Sequence, residues 1–254
     1  MSDVPDAAAA VEAFFETVAH RCRIVDGSRA RRSPGLWLLD EAAPVRNPWP
    51  REFSFRKSFY GLGDTHDDLA ERVAAWLDEP GEEHVVNCFG DEPEAAAERW
   101  NGYALTWAFD LFARPVETTA PPPPLPPGFR VRAVDSPRLV AAVNAQQPAY
   151  PSSLATLEDP DVHEVVILEG DRPAAKGEII HRGDFVHVYG MWTSEDTRQR
   201  GLGRRVMDDL LREAGRRGAR WAVLNASLEA TRFDFYPHLG FASATRCARL
   251  MRAG

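Results

Sequence analysis

Lysine is almost absent from this sequence. Only Lys57 and Lys176 occur, and the other 28 basic residues are arginines. That skew reads as coding bias toward GC-rich codons rather than as function. Cysteine is scarce too: Cys22, Cys88 and Cys247 are odd in number and far apart. They offer neither a metal-ligand spacing nor a disulfide framework, so a reducing cytoplasm and no bound metal are expected. No apolar run reaches the roughly 18 residues that a membrane-spanning helix needs. The start, Met1-Ser2-Asp3, lacks a basic stretch followed by an apolar core, so no signal peptide is expected. Excess positive charge is missing as well. Residues 1–120 hold 22 acidic and 12 basic residues, net −10, and residues 121–254 hold 16 and 18, net +2. An acidic front half excludes nucleic acid as a partner, and the back half can accept a phosphorylated ligand locally.

What is present is ordinary globular composition: 44% hydrophobic and 27% charged residues in a chain of 254. That excludes disordered, collagen-like and coiled-coil chains, and the length suits one large domain or two small ones. Six prolines fall in the seven residues Pro121-Pro122-Pro123-Pro124-Leu125-Pro126-Pro127. Such a run enters neither a helix interior nor a central strand; it predicts an extended linker over 120–128. The predicted domains are therefore 1–119 and 129–254.

The back half predicts strands over 129–134, 164–169, 174–181, 186–193, 221–224 and 241–251. Helices are predicted over 138–145, 203–217 and 228–236. Val206, Met207, Leu210, Leu211 and Ala214 recur at helical spacing, and Gly218 follows as a C-cap. The front half predicts helices over 7–19, 67–77 and 93–100 and strands over 36–39, 53–60, 84–88 and 105–113. The order strand, helix, strand, helix, strand recurs in both halves, which suggests a diverged internal duplication.

The chemistry concentrates in Arg198-Gln199-Arg200-Gly201-Leu202-Gly203-Arg204-Arg205, between a strand and an amphipathic helix. Two glycines at a helix start admit a ligand close to the backbone. Unpaired first-turn amides and the helix dipole then form an anion site, and the arginines add charge-assisted bonds to phosphate. The alternative is a plain strand–helix turn with solvated arginines. It is not a dinucleotide fingerprint, since Val206 stands where the third glycine belongs, nor a P-loop.

Arg198-x-x-Gly201-x-Gly203 resembles the R/Q-x-x-G-x-G/A motif of the GNAT superfamily of acyl-CoA N-acyltransferases. Asn225-Ala226-Ser227 followed by Phe235-Tyr236-Pro237-His238-Leu239-Gly240-Phe241 resembles that family's C-terminal motif. The likeness spans about 129–254 and is strongest over 186–241. It implies an α/β fold with a mixed GNAT-like sheet, in two tandem GNAT-like domains of which the first is degenerate. It implies acetyl transfer from acetyl-CoA to a primary amine of a small molecule or peptide, by direct attack. The pyrophosphate would rest on Gln199 to Arg204, with Arg198, Arg200, Gly201, Leu202 and Gly203 in the cradle. Pantetheine would add as a strand along Met191, Trp192 and Thr193, with Asn225 on the neighbouring strand that splays away. The Met191 amide would face the oxyanion.

By the same resemblance Tyr236 is the acid that protonates the departing thiolate, as a phenol with a pKa near 10 can. The alternative is a core aromatic beside Phe233, Phe235 and Phe241. Pro237 departs from the pattern by removing a helical hydrogen bond. His187 is a candidate base, since an imidazole with a pKa near 6.5 suits an ammonium, and a structural histidine is the alternative. Residues 187, 189, 191 and 193 are expected on one strand face, with Tyr189 shaping the acceptor pocket. Glu178 is the reserve base, and ordered water is a further alternative. Gly61-Leu62-Gly63 repeats the glycine spacing, but Ser58 replaces the leading Arg, and Asp64, Asp67 and Asp68 would repel phosphate. A second function class stays open: a non-catalytic acyl-CoA-binding regulator whose front domain contacts a partner. Nothing in the sequence separates a monomer from a homodimer.

Overall fold

The computed structural model describes residues 5–47, 53–62, 66–79, 82–90, 95, 100, 102–117, 121–122, 124–148, 151–227 and 235–252. The chain divides into two compact units. One is residues 114–224, and the other is residues 2–113 together with 225–254. No described helix is long and apolar enough to cross a membrane.

The unit made of 2–113 and 225–254 opens with α1 (Ala7–Asp26), capped by the Asp6 carboxylate, which accepts from the Ala9 amide at 2.8 Å, and closed by Gly27 at φ +81°. Its strands are β1 (Arg29–Ser33), β2 (Leu36–Asn47), β3 (Phe53–Leu62), β4 (His84–Gly90) and β5 (Tyr103–Pro115), with α2 (His66–Ala74) between β3 and β4. The last strand of the chain, here β11 (Ala242–Arg252), belongs to this sheet, whose order is β1-β2-β3-β4-β11-β5. The β3–β4 pair is parallel and the others are antiparallel. Phe14 and Phe15 of α1 pack on Tyr60, Trp37, Phe89 and Phe109, largely edge to face, with centroids 5.3 to 6.2 Å apart. Leu69 and Val73 of α2 cover the other face with Leu36, Leu38, Phe59, Val86 and Leu250.

Residues 225–254 were expected in the C-terminal domain, yet β11 runs between β4 and β5, with Cys247 opposite both Phe89 and Phe109. Cys247, Ala248 and Leu250 are fully buried there. A strand apolar on both faces must be covered on both, and this sheet covers it. Most of the helix predicted over 93–100 and most of that over 228–236 lie outside the described residues.

Unit 114–224 carries β6 (Phe129–Ala133), α3 (Pro137–Gln146), β7 (Val162–Glu169), β8 (Arg172–Arg182), β9 (Phe185–Thr193), α4 (Leu202–Arg216) and β10 (Trp221–Ser227), whose last three residues fall outside the unit. The sheet order is β10-β9-β8-β7-β6, antiparallel except for the parallel β9–β10 pair. Strands β7 and β8 are buried almost throughout, as strands covered on both faces must be. Leu139, Val140 and Val143 of α3 pack on Val166 and Leu168. The apolar stripe of α4, Leu202 to Ala214, is buried. Its outer side carries an ion-pair ladder in which Arg205 meets Asp209 at 2.7 Å and Arg217 meets Glu213 at 2.7 Å.

Both lysines are inside. Lys57 reaches Asp78 at 2.6 Å and Glu82 at 3.0 Å, and Lys176 reaches Glu164 at 2.8 Å. Another buried charge marks a pH response. Glu41 accepts from the Ser28 hydroxyl at 3.0 Å, and burial pushes its carboxyl up to about 7 from an ordinary 4.5, against the pull of that hydrogen bond. The folded pKa is the higher one. Glu41 therefore contributes stability below about pH 4.5 and loses it as pH rises through about 7. Glu41→Gln should raise stability by about 2 kcal/mol more at pH 8 than at pH 5. Urea unfolding at both pH values checks this; the same pH slope in both proteins would refute it.

Candidate active site

Strands β9 and β10 pair over three positions only: Phe185 with Trp221, Val186 with Ala222, and His187 with Val223. Beyond them β9 continues to Thr193 on β8, with no β10 partner among the described residues. One edge of Val188 to Thr193 is thus left without a ladder.

The same stretch is bulged. Tyr189 lies opposite Glu178 and Trp192 opposite Lys176, so Gly190 and Met191 together face the single residue Gly177. Gly190 takes φ +61°, a left-handed conformation that glycine adopts at little cost. Side-chain direction is reset by this insertion. His187 and Tyr189 share one face, but Met191 does not join them. Its Sδ sits 2.5 Å from where a Cβ on Gly177 would lie, with Val206 Cγ1 at 2.8 Å and Leu210 Cδ1 at 2.9 Å. The expectation that 187, 189, 191 and 193 share a face is corrected: Met191 turns toward α4, and Trp192 takes the opposite side.

From the end of β9 the chain is pinned and then exposed. The Ser194 amide donates to the Ala174 carbonyl at 2.8 Å, and the Thr197 hydroxyl donates to the Ser194 carbonyl at 3.1 Å. The Ser194 hydroxyl and the Arg172 guanidinium donate to Asp196 and hold its carboxyl below the usual range. Gln199 then adopts φ +63°, the one non-glycine residue among those described with positive φ. Gly201, at φ +77°, is the N-cap of α4 and makes no side-chain cap. The amides of Leu202, Gly203 and Arg204 precede any intrahelical acceptor, and Gly201 brings no oxygen to meet them. Arg198, Arg200 and Arg204 expose half or more of their side chains. They pair only at 3.6, 3.8 and 3.9 Å with Glu195, Glu169 and Asp208, contacts worth little in water. The result is a concentration of positive potential at a helix start, just past the open edge of β9.

The Acetyltransferase (GNAT) family model matches residues 131–241. Residues 131–241 are a GNAT acetyltransferase domain. Solved GNAT structures share the fold over nearly the whole chain. The GCN5-related N-acetyltransferase from Kribbella flavida is 18% identical, with a TM-score of 0.72 over 98% of this chain and 96% of that one. The GCN5-related N-acetyltransferase from Sphaerobacter thermophilus is 16% identical, with a TM-score of 0.60 over 100% and 96%. A tandem GNAT protein from the clavulanic acid biosynthesis pathway is 12% identical, with a TM-score of 0.55 over 98% and 96%. The fold is therefore a mixed α/β GNAT fold whose full length fits two tandem domains. No curated protein matches the chain.

Within the GNAT domain the structure gathers Met191, Trp192, Thr193 and Arg198 to Arg204 along one strand-to-helix path. His187 and Glu178 lie on one sheet face, each 1% exposed, and the His187 ring is 6.1 Å from that of Tyr189. Asn225 and Tyr236 fall in the other compact unit. Tyr236 stands in the short helix α5 (Phe235–His238), half-buried, with its ring 5.2 Å from Phe235 and 6.1 Å from Phe112. The bulge is what the sequence reading missed. Its signals were Gly190 and Gly177, one on each strand.

The unit of residues 2–113 and 225–254 repeats the parallel strand pair without the parting. Strands β3 and β4 stay paired over six positions, Lys57–His84 to Leu62–Phe89. A Cβ on Gly61 would meet Leu69 Cδ2 of α2 at 2.5 Å. Leu69 thus packs directly on the β3 backbone at Gly61. Gly63 and Asp64 lie outside the described residues.

Proposed function

We propose that this chain transfers an acetyl group from acetyl-CoA to a primary amine, through the 131–241 domain, and that residues 1–119 are a degenerate GNAT-like half. The observation that carries the reading is the parting of β9 from β10 after His187–Val223, with an uncapped helix N-terminus just beyond it.

The residues present suit the donor. The amides of Leu202, Gly203 and Arg204 and the guanidinium groups of Arg198, Arg200 and Arg204 suit a pyrophosphate. The main chain of Met191, Trp192 and Thr193 offers an edge to the pantetheine amides, as one strand does to another. A bulge disrupts the ladder and leaves an inserted residue unpaired, which favours the Met191 N–H as the oxyanion donor, worth roughly 3–4 kcal/mol. The amine attacks the thioester carbon, the tetrahedral oxyanion collapses, and the carbon–sulfur bond breaks. Tyr236 supplies the proton to the thiolate, and His187 or Glu178 takes the ammonium proton. Because both candidate bases are buried, that proton travels through ordered water.

That burial also favours a second reading, an acyl-CoA-binding regulator without turnover. Thiol release from acetyl-CoA with a panel of amines, beside calorimetry with CoA, separates the two. Binding with no release for any amine refutes the transferase. The same titration should give one CoA per chain, because β3 and β4 stay paired over six positions and Ser58 stands where the glycine motif would carry Arg. Two sites of comparable affinity would overturn the degenerate-half reading.

A further inference from the structure

The segment between β9 and α4 is held by a run of alternating charges that reaches back to the β7–β8 turn. Arg172, the first residue of β8, lies opposite Glu169 across that turn. Its Nη2 meets Glu169 Oε2 at 2.7 Å and Asp196 Oδ2 at 2.7 Å. Asp196 also accepts from the Ser194 hydroxyl. Glu169 Oε1 in turn faces Arg200 Nη1 at 3.8 Å, and the Arg200 guanidinium lies over the Phe129 ring, 5.8 Å from its centroid. Thr197 fastens the same stretch to β8 from within: it is buried, and its hydroxyl lies 3.3 Å from the Ala174 carbonyl. Gln199 is therefore bracketed. Asp196 before it and Arg200 after it are both tied to the turn, one through Arg172 and the other through Glu169.

What this run of charges restrains is an unfavourable backbone. Gln199 stands at φ +63° and Gly201 at φ +77°. Glycine takes that region about as readily as any other. A side-chain-bearing residue does so in only a few per cent of cases. Without restraint, Gln199 would leave this conformation most of the time, and the amides that follow it would lose their common direction. A ligand that needs one conformation binds more weakly in proportion to the time that conformation is absent. Exposed ion pairs add little to global stability. Here they have a smaller task, a local bias of about tenfold, and one guanidinium joins two carboxylates to meet it.

We propose that Arg172 is a positioning residue for the acyl donor: by joining Asp196 to Glu169 it holds Gln199 left-handed and keeps the anion cradle of residues 199–204 formed before CoA arrives. Arg172, Glu169 and Asp196 touch no reacting atom. The inference rests on the CoA-site reading above. It goes beyond that reading by assigning the shape of the cradle to side chains outside the glycine–arginine motif.

Two variants of the full chain separate tethering from charge. Arg172→Gln removes a positive charge and Asp196→Ala a negative one. Electrostatics alone would make the first weaken CoA binding and the second strengthen it. Both break the same tether, so both are expected to weaken CoA binding, by about 5- to 10-fold in calorimetry. Both should also speed amide hydrogen exchange over 195–201, with kcat at saturating acetyl-CoA within about threefold. The loss caused by Arg172→Gln should shrink to within about twofold in a Gln199→Gly background, because glycine reaches positive φ unaided. Asp196→Ala binding CoA as tightly as the native chain, or more tightly, overturns the proposal. So does an Arg172→Gln loss of the same size with either residue at 199. A native chain that binds no CoA sinks the donor-site reading and the positioning role together, while the exchange comparison still decides whether the tether orders the segment.

Discussion

Tyr236→Phe is expected to lower kcat by roughly 10²–10⁴-fold with CoA affinity nearly constant. The substitution isolates the hydroxyl. The Tyr236 ring packs against Phe235, Phe112 and Phe241 at 5.2, 6.1 and 6.2 Å, and phenylalanine keeps that volume. The backbone around it is fixed as well, since the Tyr236 carbonyl accepts from the amides of Leu239 at 2.9 Å and Phe241 at 3.1 Å. Pro237, which the sequence marks as a departure from the family pattern, sits in the first turn of Phe235–His238. A helix needs no amide donor there. Steady-state assays on the best amine, with chemistry rate-limiting, decide the matter. Turnover above about half of the native value would assign the thiolate proton to another group or to water.

Gly203→Asp should weaken CoA binding at least ~100-fold, about 2.7 kcal/mol, without a loss of thermal stability. The two effects have opposite signs for one reason. A carboxylate in the first turn of α4 (Leu202–Arg216) meets the helix's own positive end, which favours the fold by a few tenths to about 1 kcal/mol. The same carboxylate occupies the field that would hold a pyrophosphate and repels it. Calorimetry and a melting curve on one preparation test both signs. Unchanged affinity would remove the glycine turn from the site.

Much of this was legible because local rules govern it. The stripe Val206, Met207, Leu210, Leu211 and Ala214 predicts α4 to within a residue of its observed span, and the glycine–arginine turn before it reads from composition alone. Three features were not legible. Alternation through Val186 to Thr193 looks unbroken, and only pairing against Gly177 reveals the inserted residue at Gly190–Met191. Arg29–Ser33 forms a largely exposed, arginine-rich edge strand, with no apolar period to announce it. The apolar residues of β11 declare that it is buried, but which strands flank it is a long-range matter. Hydrophobicity carries no address.

The placement of the two lysines has a chemical consequence for a protein read as handling a reactive thioester. Thioesters acylate exposed, unprotonated amines with no catalyst at all. Lys57 is enclosed between carboxylates that raise its pKa even though burial pulls the other way, so its nitrogen keeps its proton and its lone pair is unavailable. Lys176 is equally enclosed, with Glu164 and Ser152 as its partners. Every other basic side chain but histidine is a guanidinium, which stays protonated at any physiological pH and is no nucleophile. The folded protein thus presents no lysine ε-amine to its own acyl donor, and prolonged exposure to acetyl-CoA should leave both lysines unacetylated by mass spectrometry until the chain is unfolded.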